Sequence, residues 1–319
     1  MKLKQLWNWL CALFVLVLGN QAAAQQAGVV CEDPGSSMLW EVQGPGLGAG
    51  KARLHLFGSI HLGKPDFYPL HPTIEATFRA ADHLVFEIDP LAAADPQVAL
   101  RMQLRGMLPT GQTLNQVVSP EALKNLEGVL DRYGIPLDNL MTMKPWLLTL
   151  MLANVQASAL GYSAQHGLES YFIAQKAPAT EIDELESIDQ QVDMLDRLDP
   201  ELLLGYSLQD FDDGAAEMEA LIGAWRCADK PALSEQLFSE MLAVEQNPDA
   251  DERAGMEGLY KQLHTDRNKV MADGIVRFIG SGSGDWFVVV GSAHLLGEGS
   301  VVELLEERGY TVSPVRLQP

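Results

Sequence analysis

Basic residues are scarce in this sequence. Its 319 residues include 22 Lys and Arg against 43 Asp and Glu, a formal net charge of −21. A nucleic-acid partner needs a basic face, so that class of function is excluded. Past the first residues, no apolar run is long enough to cross a bilayer. Cysteine is rare too, at three. There is no fixed-period repeat and no low-complexity segment. Two catalytic signatures are also missing. No H-E-x-x-H helix marks the usual zinc-protease arrangement, and no G-x-S-x-G elbow frames Ser59 or Ser292. What remains is a globular composition, 47% hydrophobic and 20% charged.

The chain opens with an export signal. Lys2 and Lys4 precede the apolar stretch Leu6 to Leu18, and Ala22-Ala23-Ala24 supplies small residues for cleavage before Gln25. We therefore expect residues 1–24 to be a signal peptide, 25–37 a flexible leader, and the protein to be periplasmic, with no membrane span once the signal is removed. Cys11 lies inside the signal, which leaves Cys31 and Cys227. In an oxidising compartment such a pair tends to be bridged; two separate thiols are the alternative.

The pattern that organises the rest occurs twice. Arg53 to Pro69 reads RLHLFGSIHLGKPDFYP, and Trp286 to Gly299 reads WFVVVGSAHLLGEG. Each is a strand, a Gly turn and a His, spelled G-S-x-H. In an open parallel sheet, sites form beyond the carboxyl ends of strands, where both imidazoles would arrive. The first copy follows a hairpin (Met38 to Val42, then Arg53 to Phe57). It leads through a helix, Thr73 to Ala81, into the strand His83 to Ile88. The second leads through a helix, Ser300 to Arg308, into the strand Thr311 to Val315. We expect an α/β fold in which these strand–GxxH–helix–strand units are duplicated halves of one sheet, about 38–90 and 265–319. A mainly helical insertion, 91–264, separates them within a single domain, 38–319.

That insertion shows helix starts at Ser119-Pro120-Glu121 and at the Ser187 and Gln190 capping pair. The segment Pro145 to Leu160 is apolar nearly all round, which predicts a central helix. Further helices are expected over Gly167 to Gln175, Pro200 to Ala224, Pro231 to Gln246 and Arg253 to Phe278. A short strand is expected near Ala179 to Ile182.

His61 and His294 are the leading candidates for chemistry, because imidazole is a common metal ligand and a base near neutral pH. Glu87 ends an otherwise apolar strand. With the two His it makes a two-imidazole, one-carboxylate set that leaves positions open on a divalent ion. Glu186, in the loop after the Ala179 strand, reads equally as a base or fourth ligand and as an ordinary helix-start acid. Glu169 reads as a supporting residue. Arg267 and Asn268 together can hold a carboxylate or an oxyanion. Flanked by Asp266 and Lys269, they also fit a solvated helix face. Ser59 and Ser292 read as turn residues. His55, His71, His83, His166 and His264 have no duplicated context, and Met141, Met143 and Met151 read as core.

LHLFGSIHLGKPDFYPL, ADHLVFEID, DRNKVMADGI and VVVGSAHLLGEGSVVELLEERGYTV together resemble the TraB/GumN family of bacterial proteins, which is similar to the animal Tiki metalloproteases. The resemblance runs from Trp40 to Val315. Asp183-Glu184-Leu185-Glu186 stands where the family has Gly-Leu-Glu, so the Gly is replaced and the Glu kept. The resemblance implies a metal at the meeting point of the two G-x-x-H motifs, with His61, Glu87 and His294 as ligands and Glu186, Arg267 and Asn268 in catalytic roles. We therefore expect a periplasmic metal-dependent hydrolase, foremost a protease acting on a peptide or protein. The cofactor would be divalent Mn, Co or Zn. The alternative is a non-catalytic binding protein for haem, a peptide or a metal. The acidic charge favours cationic or neutral substrates through long-range steering.

Overall fold

WFVVVG, Trp286–Gly291, has no charged side chain, as a strand covered on both faces requires. It forms β5, buried at every position. In the computed structural model this strand lies inside a six-stranded mixed sheet of order β4-β3-β5-β2-β1-β6. The other strands are β1 (Leu39–Gln43), β2 (Leu54–Ser59), β3 (His83–Phe86), β4 (Glu181–Glu184) and β6 (Thr311–Pro314). The structure describes residues 31–318 apart from 34, 49–50, 209–210, 212–213, 245–248 and 282–283. The expected signal peptide, 1–24, and the start of the leader lie outside the described residues.

β4, β3, β5 and β2 are mutually parallel neighbours, while β1 is antiparallel to both β2 and β6. The hairpin expected before the first GSxH is present, with Trp40 opposite Leu56. The Glu87 strand, β3, is not a direct neighbour of β2, because β5 separates them. The two strand–GxxH–helix–strand runs are interleaved: β5 enters between β2 and β3, and β6 pairs with β1.

Most of the remaining chain is helical. The central helix, Pro145–Ala159, buries residues all round, as its composition predicts. Its one buried amide, Gln156, donates to the Phe211 carbonyl. Phe57, Phe172, Phe287 and Phe78 pack as rings between the sheet and its covering helices, with neighbouring centroids 4.9–5.9 Å apart. The Ser187 and Gln190 capping box forms as expected. Most boundaries shift by a residue or two, the Glu87 strand ending at Phe86 and not Ile88, and three further differences are these. The fourth strand begins at Glu181, just past Pro178, which cannot donate to a ladder. The helix expected over 200–224 is described as two, Pro200–Leu208 and Gly214–Arg226. The helix expected over 253–278 contains a π-helical turn, Lys261–Thr265, after which Asp266–Ser281 continues as α-helix.

The described part of the leader is tied down. Cys31 and Cys227 form a disulfide spanning 196 residues. Ser36 Oγ donates to the Ala228 carbonyl, and Lys230 Nζ donates to the Ser37 carbonyl. Closing so long a loop restricts the unfolded chain, a stabilisation of up to about 5 kcal/mol in the chain-entropy model. Cys227→Ser should therefore lower the melting temperature. Reductant should bring the wild type down to the same value and leave the variant unmoved; a wild-type melt indifferent to reductant would contradict this.

Candidate functional site

Four adjacent parallel strands end at one edge of the sheet, and each runs directly into a residue singled out above. β4 leads to Glu186, β3 to Glu87, β5 to His294 and β2 to His61. Pairing beyond the strands keeps the carboxylates side by side: the Leu185 amide donates to the Phe86 carbonyl and the Glu186 amide to the Glu87 carbonyl. β2 and β5 are in register at Ser59 and Gly291, so the two GSxH turns stand next to each other.

The turns focus on Gly291. A Cβ there would lie 3.1 Å from Glu87 Oε1 and 3.7 Å from both His61 Nε2 and His294 Cδ2. Three side-chain tips thus ring a space that any larger residue would fill. His294 Nε2 is 3.8 Å from Glu87 Oε1, and that oxygen accepts from the Gly291 amide.

Both imidazoles are turned by a partner on Nδ1. Asn268 Nδ2 donates to the Gly299 carbonyl at 2.8 Å, which leaves Oδ1 to accept from His294 Nδ1 at 2.6 Å. The His294 proton then sits on Nδ1, and the Nε2 lone pair faces Glu87. His61 Nδ1 lies 2.9 Å from Glu169 Oε1, which also accepts from Ser59 Oγ at 2.6 Å. His61 Nε2 is buried without a hydrogen-bond partner. Glu169 reaches His61 because Gly167 packs against backbone, where a Cβ would come within 2.1 Å of the His61 carbonyl oxygen.

Arg267 and Asn268 are not on a solvated helix face: they are 4% and 0% exposed. Arg267 Nη2 bridges Glu87 Oε2 at 2.8 Å and Glu186 Oε2 at 2.7 Å, and its Nε adds a 2.9 Å bond to Glu186 Oε2. Gln191 Nε2 donates to the same Glu186 oxygen. Arg267 Nη1 is buried and has no hydrogen-bond partner.

Electrostatics split the two histidines. Burial disfavours a charged His61, but the Glu169 carboxylate outweighs it and raises the pKa to about 9. Burial also opposes ionisation of Glu169, yet His61 and Ser59 hold its pKa below the usual carboxylate range. His294 has only a neutral amide on Nδ1. Burial, then the nearby Arg267 charge, push its pKa well down. Burial likewise lowers His264 to about 4.

The donor set fits a divalent cation: two imidazole Nε2 atoms and a carboxylate oxygen around one gap, one of them buried and unpaired, each ring oriented from behind by an acceptor. Among the described residues, no group of three or more His, Cys, Asp or Glu is already disposed as a metal cage.

One neighbour was underrated in the sequence. Glu169, read as a supporting residue, stands in that role as the direct partner of His61. His264, set aside for lack of a duplicated context, is fully buried and stacks on His294 with centroids 5.8 Å apart, its Nε2 2.9 Å from the Ala293 carbonyl. The π-turn puts it there, and no periodicity in the sequence signals that turn.

The model of the TraB/PrgY/gumN family matches residues 38–314. YbaP of Escherichia coli (strain K12) is 29% identical over 259 residues, covering 80% of this chain and 89% of YbaP; YbaP of Shigella flexneri matches to the same extent. A protein of Nematostella vectensis named "Metalloprotease TIKI homolog" is 22% identical over 366 aligned positions, covering 97% of this chain and 75% of its own length. No solved structure matches significantly. Among the described residues no helix is long and apolar enough to cross a membrane.

The His61–Glu169 pair makes stability depend on pH in a set direction. His61 is raised from 6.5 to about 9, so its contribution is whole below about 6.5 and lost as pH climbs through 9. The lowered Glu169 contributes above its unfolded value and loses that as pH falls. In metal-free protein, Glu169→Gln should therefore cost more stability at about pH 6 than at about pH 10, measured by urea unfolding. An equal cost at both would show that the pair is not charged.

Proposed function

The chain belongs to the TraB/PrgY/gumN family, and from that footing we propose that it is a periplasmic metal-dependent hydrolase, foremost a protease. One observation carries the proposal: His61, His294 and Glu87 ring the space in front of Gly291, with His61 Nε2 unpaired. On this reading those three residues hold a divalent ion, and residues 38–319 act as one domain whose two GSxH halves arose by duplication. Imidazole with carboxylate suits Mn, Co or Zn alike. When bound, the ion supplies a Lewis acid for a carbonyl and an acidified water.

The remaining roles belong to the chain itself. Glu169 accepts the His61 Nδ1 proton, and Asn268 accepts that of His294, so each ring offers Nε2. Arg267 Nη1, the guanidinium nitrogen without a partner, donates to the oxygen on which charge develops during carbonyl addition. Glu186 keeps Arg267 charged and still, because its Oε2 takes both Nε and Nη2. That use of its lone pairs makes it a counter-charge in preference to the base or fourth ligand expected from sequence. Export is supported by the N-terminal pattern of Lys2, Lys4 and Leu6 to Leu18. The Cys31–Cys227 disulfide also fits an oxidising compartment.

Elemental analysis of the purified protein, equilibrated with Mn, Co and Zn in turn, tests this. The wild type should carry about one ion per chain and cleave unfolded protein, while His61→Ala and His294→Ala lose at least about tenfold in metal affinity. Metal without any cleavage would favour the binding-protein alternative. No metal uptake under any of these conditions would sink the proposal.

A further inference from the structure

Beside His61 the edge of the sheet opens into a narrow recess with about 40 Å³ of room for water-sized centres. Its floor is the turn Ser59 to Leu62 together with Ser292 and Ala293. Its walls are Met218, Leu221 and Ile222 of the helix Gly214–Arg226, and Leu233 and Leu237 of the helix Lys230–Val244. The polar side chains on the floor are already engaged. Ser59 Oγ donates to Glu169, Ser292 Oγ donates to the Ser59 carbonyl, and His61 Nδ1 is paired with Glu169. Only His61 Nε2 is unpaired, and it also faces the gap at Gly291. A polar group entering the recess would give up water and gain few hydrogen bonds, whereas an aliphatic group would lose nothing. The walls are fixed in advance: Trp225 Nε1 donates to the Gly58 carbonyl at 2.9 Å, and the next turn carries the Cys227 disulfide.

We propose that this recess is the specificity pocket of the site and takes an aliphatic side chain, of valine or leucine size, from a peptide held against His61. The proposal rests on the hydrolase reading and deepens it by naming the substrate class. Among the described residues no Phe, Tyr or Trp lines the recess, and its continuity with the His61 gap ties the choice of side chain to the reacting bond. Leu221 is the wall residue to change, because it is partly exposed and lies outside the proposed ligand set.

The test digests a proteome-derived peptide library with metal-supplied protein and reads cleavage sites by mass spectrometry. Wild type, Leu221→Trp and Leu221→Ala are compared, each first shown to melt cooperatively. In parallel, ligand-observed NMR measures the binding of N-acetyl-leucine amide. Wild type should favour Val, Leu or Ile over Gly and Asp at one fixed position by roughly tenfold or more. Leu221→Trp should erase that preference, and Leu221→Ala should move it toward Phe. Cleavage with no aliphatic preference, or a preference unchanged by Leu221→Trp, overturns the pocket and leaves the hydrolase reading standing. If no peptide is cleaved, the hydrolase reading fails and the NMR arm decides. Saturable binding lost in Leu221→Trp keeps the pocket, and no binding to the wild type overturns it. Should Leu221→Trp fail to fold, Leu233→Phe fills the same space and is read in the same way.

Discussion

One buried guanidinium holds the sheet edge together. Arg267 is 4% exposed and binds Glu87 and Glu186, each 6% exposed, through two of its nitrogens. Removing one partner of such a group typically costs about 3–5 kcal/mol, because the other charges remain buried and unpaired. The charges do not balance. Two carboxylates face one guanidinium, and a third carboxylate, Glu169, lies behind His61. The proton on His61 makes up part of that deficit, which accounts for a histidine raised to about 9 in a buried place. His294, backed only by an amide and pushed by Arg267, stays neutral. A divalent cation between the two rings would answer the same deficit, and that is the physical core of the proposed function.

Positioning comes from the parallel ladder. Because β4, β3, β5 and β2 run the same way, residues that follow them accumulate at one edge although they are scattered along the chain. The glycines matter at two points. Gly291 leaves the gap open, and Gly167 lets a distant helix bring Glu169 under the first GSxH turn. The helical middle supplies three things around this edge: the Glu169 carboxylate, the walls beside His61, and the Cys227 half of the disulfide that pins the leader.

The sequence made some of this legible, for identifiable reasons. His61, Glu87 and His294 stand where an apolar run stops, a local signal that needs no knowledge of neighbours. The central strand and the central helix were legible from apolar residues without alternation. Lateral strand order was not, since nothing in WFVVVG says that it enters between β2 and β3. Arg267 also fitted a solvated helix face because Asp266 and Lys269 flank it; the Glu87 and Glu186 carboxylates, supplied by other elements, explain its burial. His264 needed the π-turn, a backbone irregularity with no side-chain pattern to announce it.

Crystals of the protein grown with Mn(II) and measured at the metal's absorption edge address the central claim most directly. The proposal predicts one anomalous peak within coordinating distance of His61 Nε2, His294 Nε2 and Glu87, with Glu169 and Asn268 still behind the two rings. A fully ordered site with no peak there, or a peak held by other residues, would contradict it.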